Sequence, residues 1–367
     1  MNIGIIGCGQ ISDIYMQNMK KLDGTTLYAC ASLHQDSAAT KAKTYGIKAM
    51  STDEMFEDPA IDIVVNLTPT LSHFSLTKKA LESGKHVYTE KVIAPSFSEA
   101  DYLVSLAEEQ NLYLCAAPDT FLGAAIQTAS YLLANDEIGE VTSVQATLNR
   151  DASTAYTPGR FTTQKGGGTG YDVGIYYLTA VLSILGEIDE VSGISYQSTP
   201  NFIVSDAKSP YCGQACSIDN EDMMMASFRM RNGVLGTFHF NGHTIYPEVP
   251  AITIFGTKGI IKLPDPNCFG GKLQCIHYGD DDYSTVPLTH AFADNSRGIG
   301  VTEMVHSIAN GRIARTDAKM GLHAIEILDR IVFSSANGMR QKVTSSFLLP
   351  RPLEAGHFAN PEEALRR

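Results

Sequence analysis

No apolar run in this chain of 367 residues reaches the roughly 18 that a membrane-spanning helix needs, so the sequence reads as a soluble protein. Basic residues do not gather into a run either. With 28 Lys and Arg against 40 Asp and Glu the formal charge is -12, which argues against a partner such as nucleic acid, held by its phosphate backbone. The opening MNIGIIGCGQ lacks a basic leader and its apolar stretch breaks on glycine, so it reads as a strand and not as a signal peptide; a cytoplasmic location is expected. The 7 cysteines (Cys8, Cys30, Cys115, Cys212, Cys216, Cys268, Cys275) are odd in number and scattered, which implies no disulfide framework. Cys212 and Cys216 have no second pair of soft ligands at finger spacing, and His239 and His243 have no carboxylate or cysteine partner, so no metal is expected. No Gly-Lys-Ser/Thr follows the N-terminal glycines, which removes a nucleoside triphosphatase. Internal repeats and low-complexity segments are also missing.

What is present is an ordinary globular composition, 44% hydrophobic and 19% charged, on a chain long enough that two domains are the default. Short apolar runs at Asn2–Ile6, Thr25–Ala31, Ile61–Leu67, His86–Thr89 and Leu112–Ala116 alternate with helical-period segments at Gln10–Lys21, Ser37–Tyr45, Ser72–Ser83 and Ser96–Glu109. This pattern predicts an α/β domain over residues 1–118, a doubly wound parallel sheet, with Ser37 and Ser96 as N-caps. From Pro118 and Asp119 a helix of about 16 residues is expected from the apolar period. Beyond it strand-like runs dominate: Val141–Leu148, Val191–Tyr196, Met223–Arg229, Gly233–Phe240, Ala251–Phe255, Ile260–Leu263 and Lys272–His277. Helices are expected near Tyr171–Leu185, Gly300–Ala309 and Ala318–Ser335. Residues 119–367 therefore read as an α+β domain whose open, mostly antiparallel sheet carries helices on one face.

Gly7-Cys8-Gly9-Gln10-Ile11-Ser12 follows the first strand and opens the first helix, the context in which a G-x-G-x-x-G-like string binds a dinucleotide. Gly7 permits the tight turn, Gly9 lets the backbone approach a pyrophosphate, and the anion sits on the helix N-terminus. Ser12 replaces the third glycine. An acidic residue about 20 positions on normally grips the adenosine ribose, but here the second strand ends Ala31-Ser32-Leu33-His34. Serine carries no charge to repel a 2'-phosphate, so NADP is expected to serve at least as well as NAD.

Asn66-Leu67-Thr68-Pro69-Thr70 with His73, and Thr89-Glu90-Lys91-Val92, lie at the carboxyl ends of the third and fourth predicted strands, where open sheets bind ligands. A glycine-rich stretch, Gly166-Gly167-Gly168-Thr169-Gly170-Tyr171-Asp172-Val173-Gly174-Ile175-Tyr176, leads into a helix of the second domain. Together these stretches resemble the glucose-fructose oxidoreductase, inositol dehydrogenase and rhizopine-catabolism family, Gfo/Idh/MocA, over nearly the whole chain, through Arg297-Gly298-Ile299-Gly300-Val301. The resemblance implies a Rossmann domain followed by an open sheet, with a sugar, inositol or related polyol held between them. It also implies homodimers or homotetramers formed through the exposed face of the second sheet. Lys91 matches the lysine of the family's Glu-Lys-Pro motif, with Val92 in place of the proline. Many members of the family have histidine where Tyr176 stands, and the tyrosine here resembles the branch that includes dihydrodiol dehydrogenase and glucose-fructose oxidoreductase. The cofactor residues expected are Gly7, Cys8, Gly9, Gln10, Ile11, Ser32, Leu33, Asn66, Thr68, Pro69, His73, Glu90 and Lys91.

Removing a hydride from a carbinol carbon leaves a proton on oxygen, so a base is needed near the hydroxyl. Unperturbed Tyr and Lys titrate near 10 and 10.4, yet an ammonium about 4 Å from a phenol supplies roughly 4 kcal/mol at an effective dielectric of 20. Lowering the phenol by two to three pH units takes only about 3 to 4 kcal/mol, so Lys91 and Tyr176 suffice as a proton shuttle. Asp172, four residues before Tyr176, shares its helix face and is assigned to orienting Lys91 or the substrate hydroxyl. Tyr177 points elsewhere. The loop Asp151–Lys165 offers Tyr156, Arg160 and Lys165 as candidate substrate contacts. Plainer readings stand beside these: Tyr176 as a packing residue, Asp172 as an N-cap, Lys91 as a solvated lysine. A sensor or regulator that keeps the dinucleotide domain without catalysis is the competing function.

Overall fold

The structure is a computed structural model that describes residues 1–244, 251–356 and 363–366. Its first sheet has six parallel strands, β1 (Asn2–Ile6), β2 (Thr26–Ala31), β3 (Lys48–Ala49), β4 (Ile63–Asn66), β5 (His86–Thr89) and β6 (Leu114–Ala116), in the order β3-β2-β1-β4-β5-β6. Helices α1 (Gln10–Met19), α2 (Gln35–Tyr45), α3 (Thr52–Glu57), α4 (His73–Glu82) and α5 (Phe97–Glu109) cover both faces. That is why β1 and β4 are apolar almost throughout: a strand buried on two faces has no polar side to alternate with. The order reverses between β1 and β4, which opens a crevice at their carboxyl ends.

Several local expectations change. The two-residue β3 and six-residue α3 were not predicted, being too short to show a period; α3 is set by the capping box Ser51–Glu54. Ser96 caps α5 as expected, accepting from the Glu99 amide, whereas α2 opens at Gln35 behind His34 and leaves Ser37 inside the first turn. The helix expected from Pro118 is a 3-10 turn, Thr120–Leu122, then α6 (Ala124–Ala134). Gly123 breaks it in extended conformation, where a Cβ would lie 2.5 Å from the Phe269 backbone.

The second sheet has nine strands in the order β16-β15-β14-β13-β7-β12-β11-β8-β17. They are β7 (Val141–Asn149), β8 (Ile188–Tyr196), β11 (Met223–Met230), β12 (Leu235–Asn241), β13 (Ile252–Gly256), β14 (Gly259–Leu263), β15 (Leu273–His277), β16 (Ser284–Val286) and β17 (Gln341–Lys342). A separate hairpin, β9 (Asn201–Ile203) with β10 (Ala215–Ser217), stands outside it. The sheet is antiparallel except where β7 runs parallel to β12. Helix α7 (Ile175–Leu185) and α9 (Ala318–Asn337) lie on one face, over Phe228, Phe238 and Phe240, with Phe228 stacked on Phe238 at 4.4 Å and Phe240 tilted against Phe238 at 5.3 Å. The other face is open, and β11 and β12 alternate buried with exposed residues accordingly.

Helix α8 (Ile299–Asn310) returns to the first domain. Its Val301, Met304 and Val305 share a core with Ile5, Tyr15, Met16 and Met19, and the short α10 (Glu363–Arg366) packs on its outer side. No helix among the described residues is long and apolar enough to cross a membrane.

Candidate active site

At the switch point lies a cleft of about 1000 Å³. Gly7 to Ile11 form its floor, Ser32 to His34 one end, Thr68 to Ser72 a side, and Glu90, Lys91 and Tyr176 the other end. Gly7 has φ +103°, and a Cβ there would sit 2.6 Å from the Leu67 carbonyl, so only glycine lets β1 turn into α1 beneath β4. Gly9 has nothing within 4 Å of where a Cβ would be, and α1 has no side-chain cap, leaving its first amides free to face an anion. Ser12 is fully buried in place of the third glycine and donates from Oγ to the Gly9 carbonyl at 2.6 Å. These residues fit a dinucleotide.

Asn66 and His73, expected at the cofactor, stand behind the cleft wall. Asn66 accepts from Thr68 N and Oγ1 at 3.2 and 2.6 Å and so shapes the turn that reaches the cleft. The buried His73 ring lies between the Val92 carbonyl at Nδ1, 2.6 Å, and the Thr68 carbonyl at Nε2, 2.8 Å, tying the two strand-end loops together. Burial holds its pKa below the usual histidine range.

At the far end of the cleft, Lys91 Nζ donates to the Asp172 backbone oxygen at 2.5 Å and to its Oδ1 at 3.0 Å, while the other carboxylate oxygen accepts from Arg150 at 2.9 Å. The ammonium lies 5.6 Å from the Tyr176 ring centroid, and the Arg297 guanidinium lies 6.0 Å from the same ring. Lys91 precedes a cis peptide to Val92, and its own amide is held by Glu90 Oε2 at 3.0 Å. Asp172 sits inside a π-helical turn, Gly170–Gly174, that precedes α7, a distortion frequent at functional sites. The glycine run before it is a packing requirement: a Cβ on Gly168 would lie 2.4 Å from the Glu221 carbonyl oxygen.

The electrostatics correct one expectation. Burial raises the Tyr176 phenol above its ordinary value; Lys91 and Arg297 pull it down and Glu90 pushes it up, but desolvation wins. The ammonium is also engaged with Asp172, which takes up part of its field. For Asp172, burial works upward, but Lys91 and Arg150 together outweigh it and keep the carboxylate ionised below the usual range. Burial works to lower Lys91, but Asp172, Tyr176 and Glu90 outweigh it, so it stays an ammonium.

Arg160, with Gly159 and Phe161, lines the dinucleotide cleft. Lys165 is exposed on the surface. Tyr156 packs its ring on Phe202 at 5.5 Å, between an outer groove and a small cavity that it lines with Arg150 and Asp172, and burial pushes its phenol up to about 12. Tyr177 turns away from the site onto Phe240. Sequence reasoning missed Arg150 as a site residue and gave Arg297 only as part of a motif. The sole signal for Arg150 was a charged residue directly after a predicted strand and before the glycine-rich loop.

A doubly wound domain with a glycine turn at its switch point, closed by a second domain that brings Asp172 and Tyr176 to Lys91, defines a dinucleotide-dependent oxidoreductase. Residues 1–117 match the oxidoreductase family with an NAD-binding Rossmann fold, and residues 126–262 match the GFO/IDH/MocA C-terminal domain. The chain belongs to the Gfo/Idh/MocA family and is an NAD(P)-dependent dehydrogenase. It is similar to myo-inositol 2-dehydrogenase of Thermotoga maritima, 24% identical over 71% of this chain and 74% of that one. It is also similar to an NADP-dependent D-xylose 1-dehydrogenase of Hypocrea jecorina, 28% identical over 63% of this chain and 59% of that one. Its fold is that of levoglucosan dehydrogenase in complex with NADH, with a TM-score of 0.81 at 20% identity over 94% of this chain and 99% of that one.

Proposed function

We propose that this protein moves a hydride between nicotinamide and the carbinol or carbonyl carbon of a sugar, inositol or related polyol, with Tyr176 taking the proton and Lys91 supporting it as an ammonium. The observation that carries the reading is the meeting of Lys91, Asp172 and Tyr176 at one end of the dinucleotide cleft. Relatives named for inositol and xylose support the substrate class. A nicotinamide bound in the cleft supplies the hydride acceptor or donor and, when oxidised, a positive charge. In the oxidation direction the Tyr176 phenolate accepts the proton of the substrate hydroxyl as the carbonyl forms. Lys91 remains protonated beside it and stabilises the phenolate. Asp172 fixes the lysine rather than acting as a base, since an ionised carboxylate held by two cations is a poor proton acceptor. The substrate gives its hydroxyl proton to Tyr176, and the hydride of its carbon, carrying two electrons, would pass to the bound nicotinamide.

The reading extends to the cofactor and the assembly. The uncharged Ser32 at the cleft end favours NADP at least as well as NAD. Ile194, Tyr196, Met225 and Leu235 are exposed on the open face of the second sheet, interleaved with Ser192, Ser227, Arg229 and Thr237, a mixed surface suited to a second copy of the chain. The test is nicotinamide absorbance with NADP or NAD across sugars, inositols and sugar acids. Turnover is expected, falling by about 10²-fold or more in Lys91→Ala and in Tyr176→Phe, in the range of general acid-base catalysis. Unchanged turnover in Tyr176→Phe removes it from the chemistry, and a hundredfold preference for NAD overturns the cofactor reading.

A further inference from the structure

Two charged groups at the site have no part in the shuttle. Arg297 reaches the Tyr176 phenol from the loop before α8, and its guanidinium also lies 5.9 Å from the Phe269 ring. It donates to the Asn267 backbone oxygen and side-chain oxygen at 2.9 and 2.6 Å and to Asn295 Oδ1 at 2.9 Å, all neutral acceptors. The second group is Asp119, 1% exposed, at the domain junction. Its Oδ2 accepts from the Gly298 and Gly300 amides at 2.8 and 3.0 Å. It thereby caps α8 from a distant part of the chain and pins the residues that follow Arg297.

We propose that Arg297 is a second catalytic cation of this site, sharing the Tyr176 phenol with Lys91, and that Asp119 is the positioning residue that holds it there. The inference rests on the assignment of Tyr176 as the proton acceptor. The two cations differ in kind. The Lys91 charge is answered by Asp172 at 3.0 Å, so much of its field is spent before it reaches the phenol. Arg297 makes its hydrogen bonds to amide oxygens, and the carboxylates of Asp119 and Glu90 that face it form no direct ion pair with it; a guanidinium cannot release its proton in a protein, so it is a fixed electrostatic partner and not a shuttle. A buried phenol needs such a partner, because desolvation opposes the phenolate on which proton abstraction depends.

The geometry that places Arg297 is over-determined by close packing. Gly298 is left-handed with φ +102°, and a Cβ on Gly300 would lie 2.6 Å from the Tyr88 phenolic oxygen. The chain after Arg297 therefore has one path, and a carboxylate at the N-terminus of a twelve-residue helix fixes it. Burial raises Asp119 to about 6, so it is ionised at neutral pH and makes charge-assisted bonds to both amides. Arg297 is faced by Tyr176, Asp119 and Glu90; Tyr176 is faced by Lys91, Glu90 and Arg297.

The test reads Tyr176 directly, without a substrate. The full chain is labelled with 3-fluorotyrosine, whose phenol is more acidic than that of tyrosine, and the Tyr176 fluorine resonance is identified by its loss in Tyr176→Phe. Arg297→Ala is expected to move the Tyr176 titration midpoint upward by about one pH unit or more. Arg297→Lys keeps part of the effect. Asp119→Asn moves the midpoint upward by less, and that movement disappears in the Arg297→Ala background, as it must if Asp119 acts through the arginine. An unmoved midpoint in both Arg297 variants overturns the catalytic cation. An equal upward movement from Asp119→Asn in both backgrounds overturns its positioning role. If Arg297→Ala fails to fold by circular dichroism, Arg297→Gln against Arg297→Lys decides by the same criterion. Moved midpoints in a chain that turns over no sugar or polyol overturn the proposed reaction, and with it the catalytic role of Arg297, while leaving Arg297 and Asp119 as the groups that set the Tyr176 titration.

Discussion

Tyr176 and Asp172 are four positions apart, and Lys91 favours the charged form of both, yet their net shifts are opposite. The carboxylate is stabilised in its charged form, whereas the phenol is pushed toward its neutral form because burial costs it more than Lys91 and Arg297 return. The sign of the pH dependence follows. With the phenol raised, the fraction of phenolate grows with pH through and beyond neutrality, so kcat/KM for alcohol oxidation should rise toward alkaline pH, while the reduction direction falls. Lys91→Ala should displace the oxidation limb to still higher pH, and pH profiles of both directions check it. A flat oxidation profile between neutral and alkaline pH counts against Tyr176 as the base. Lys91, Asp172 and Tyr176 were legible in the sequence through their motifs. Arg150 was not, because its role depends on where β7 ends relative to α7, and no local pattern carries that relation.

At the scale of elements, α9 is joined to the C-terminal segment by His323, which bonds Ser345, and by the buried carboxylate of Glu326. Glu326, 1% exposed, accepts from the Thr344 amide and hydroxyl and the Ser345 amide at 2.8 to 3.1 Å. Burial opposes ionisation, but the bonds from Ser345 and Thr344 outweigh it and bring the carboxyl down to about 2 from 4.5. A depressed carboxyl stabilises the fold above its unfolded value, and the contribution is lost as pH falls from about 4.5 through about 2. The difference corresponds to about 3 kcal/mol. Glu326→Gln should therefore lower stability at neutral pH by an amount of that order and lose less stability on acidification, as urea unfolding at pH 7 and pH 3 measures; equal acid sensitivity of the two proteins counts against it. Helix and strand positions were largely legible from apolar period, since long elements carry several repeats of it. The exceptions were elements set by single contacts: α3 by a capping box, the break at Gly123 by the Phe269 backbone, and the π turn around Asp172 by packing of the glycine run.

Over the whole molecule, the two sheets serve different ends: the parallel one is covered on both faces and holds the cleft, while the mixed one leaves a face bare. If that face joins two copies, light scattering should give a dimer or tetramer at micromolar concentration, and Ile194→Glu with Leu235→Glu should shift it toward monomer with NADP binding retained. A wild-type monomer under those conditions rules the interface out. Helix α8 also joins the domains, since it packs on α1 yet begins at the Arg297 loop that reaches Tyr176. By itself the sequence determined the doubly wound first domain, the glycine turn and the lysine-aspartate-tyrosine set, because hydrophobic period and short motifs are local and survive reading one residue at a time. Only the tertiary structure decided that Asn66 and His73 brace the cleft instead of lining it, that two arginines join the site, and that Tyr176 is raised and not lowered. Those outcomes depend on burial and on distances between residues far apart in the chain, and both desolvation and Coulomb energy are fixed only once the chain has folded.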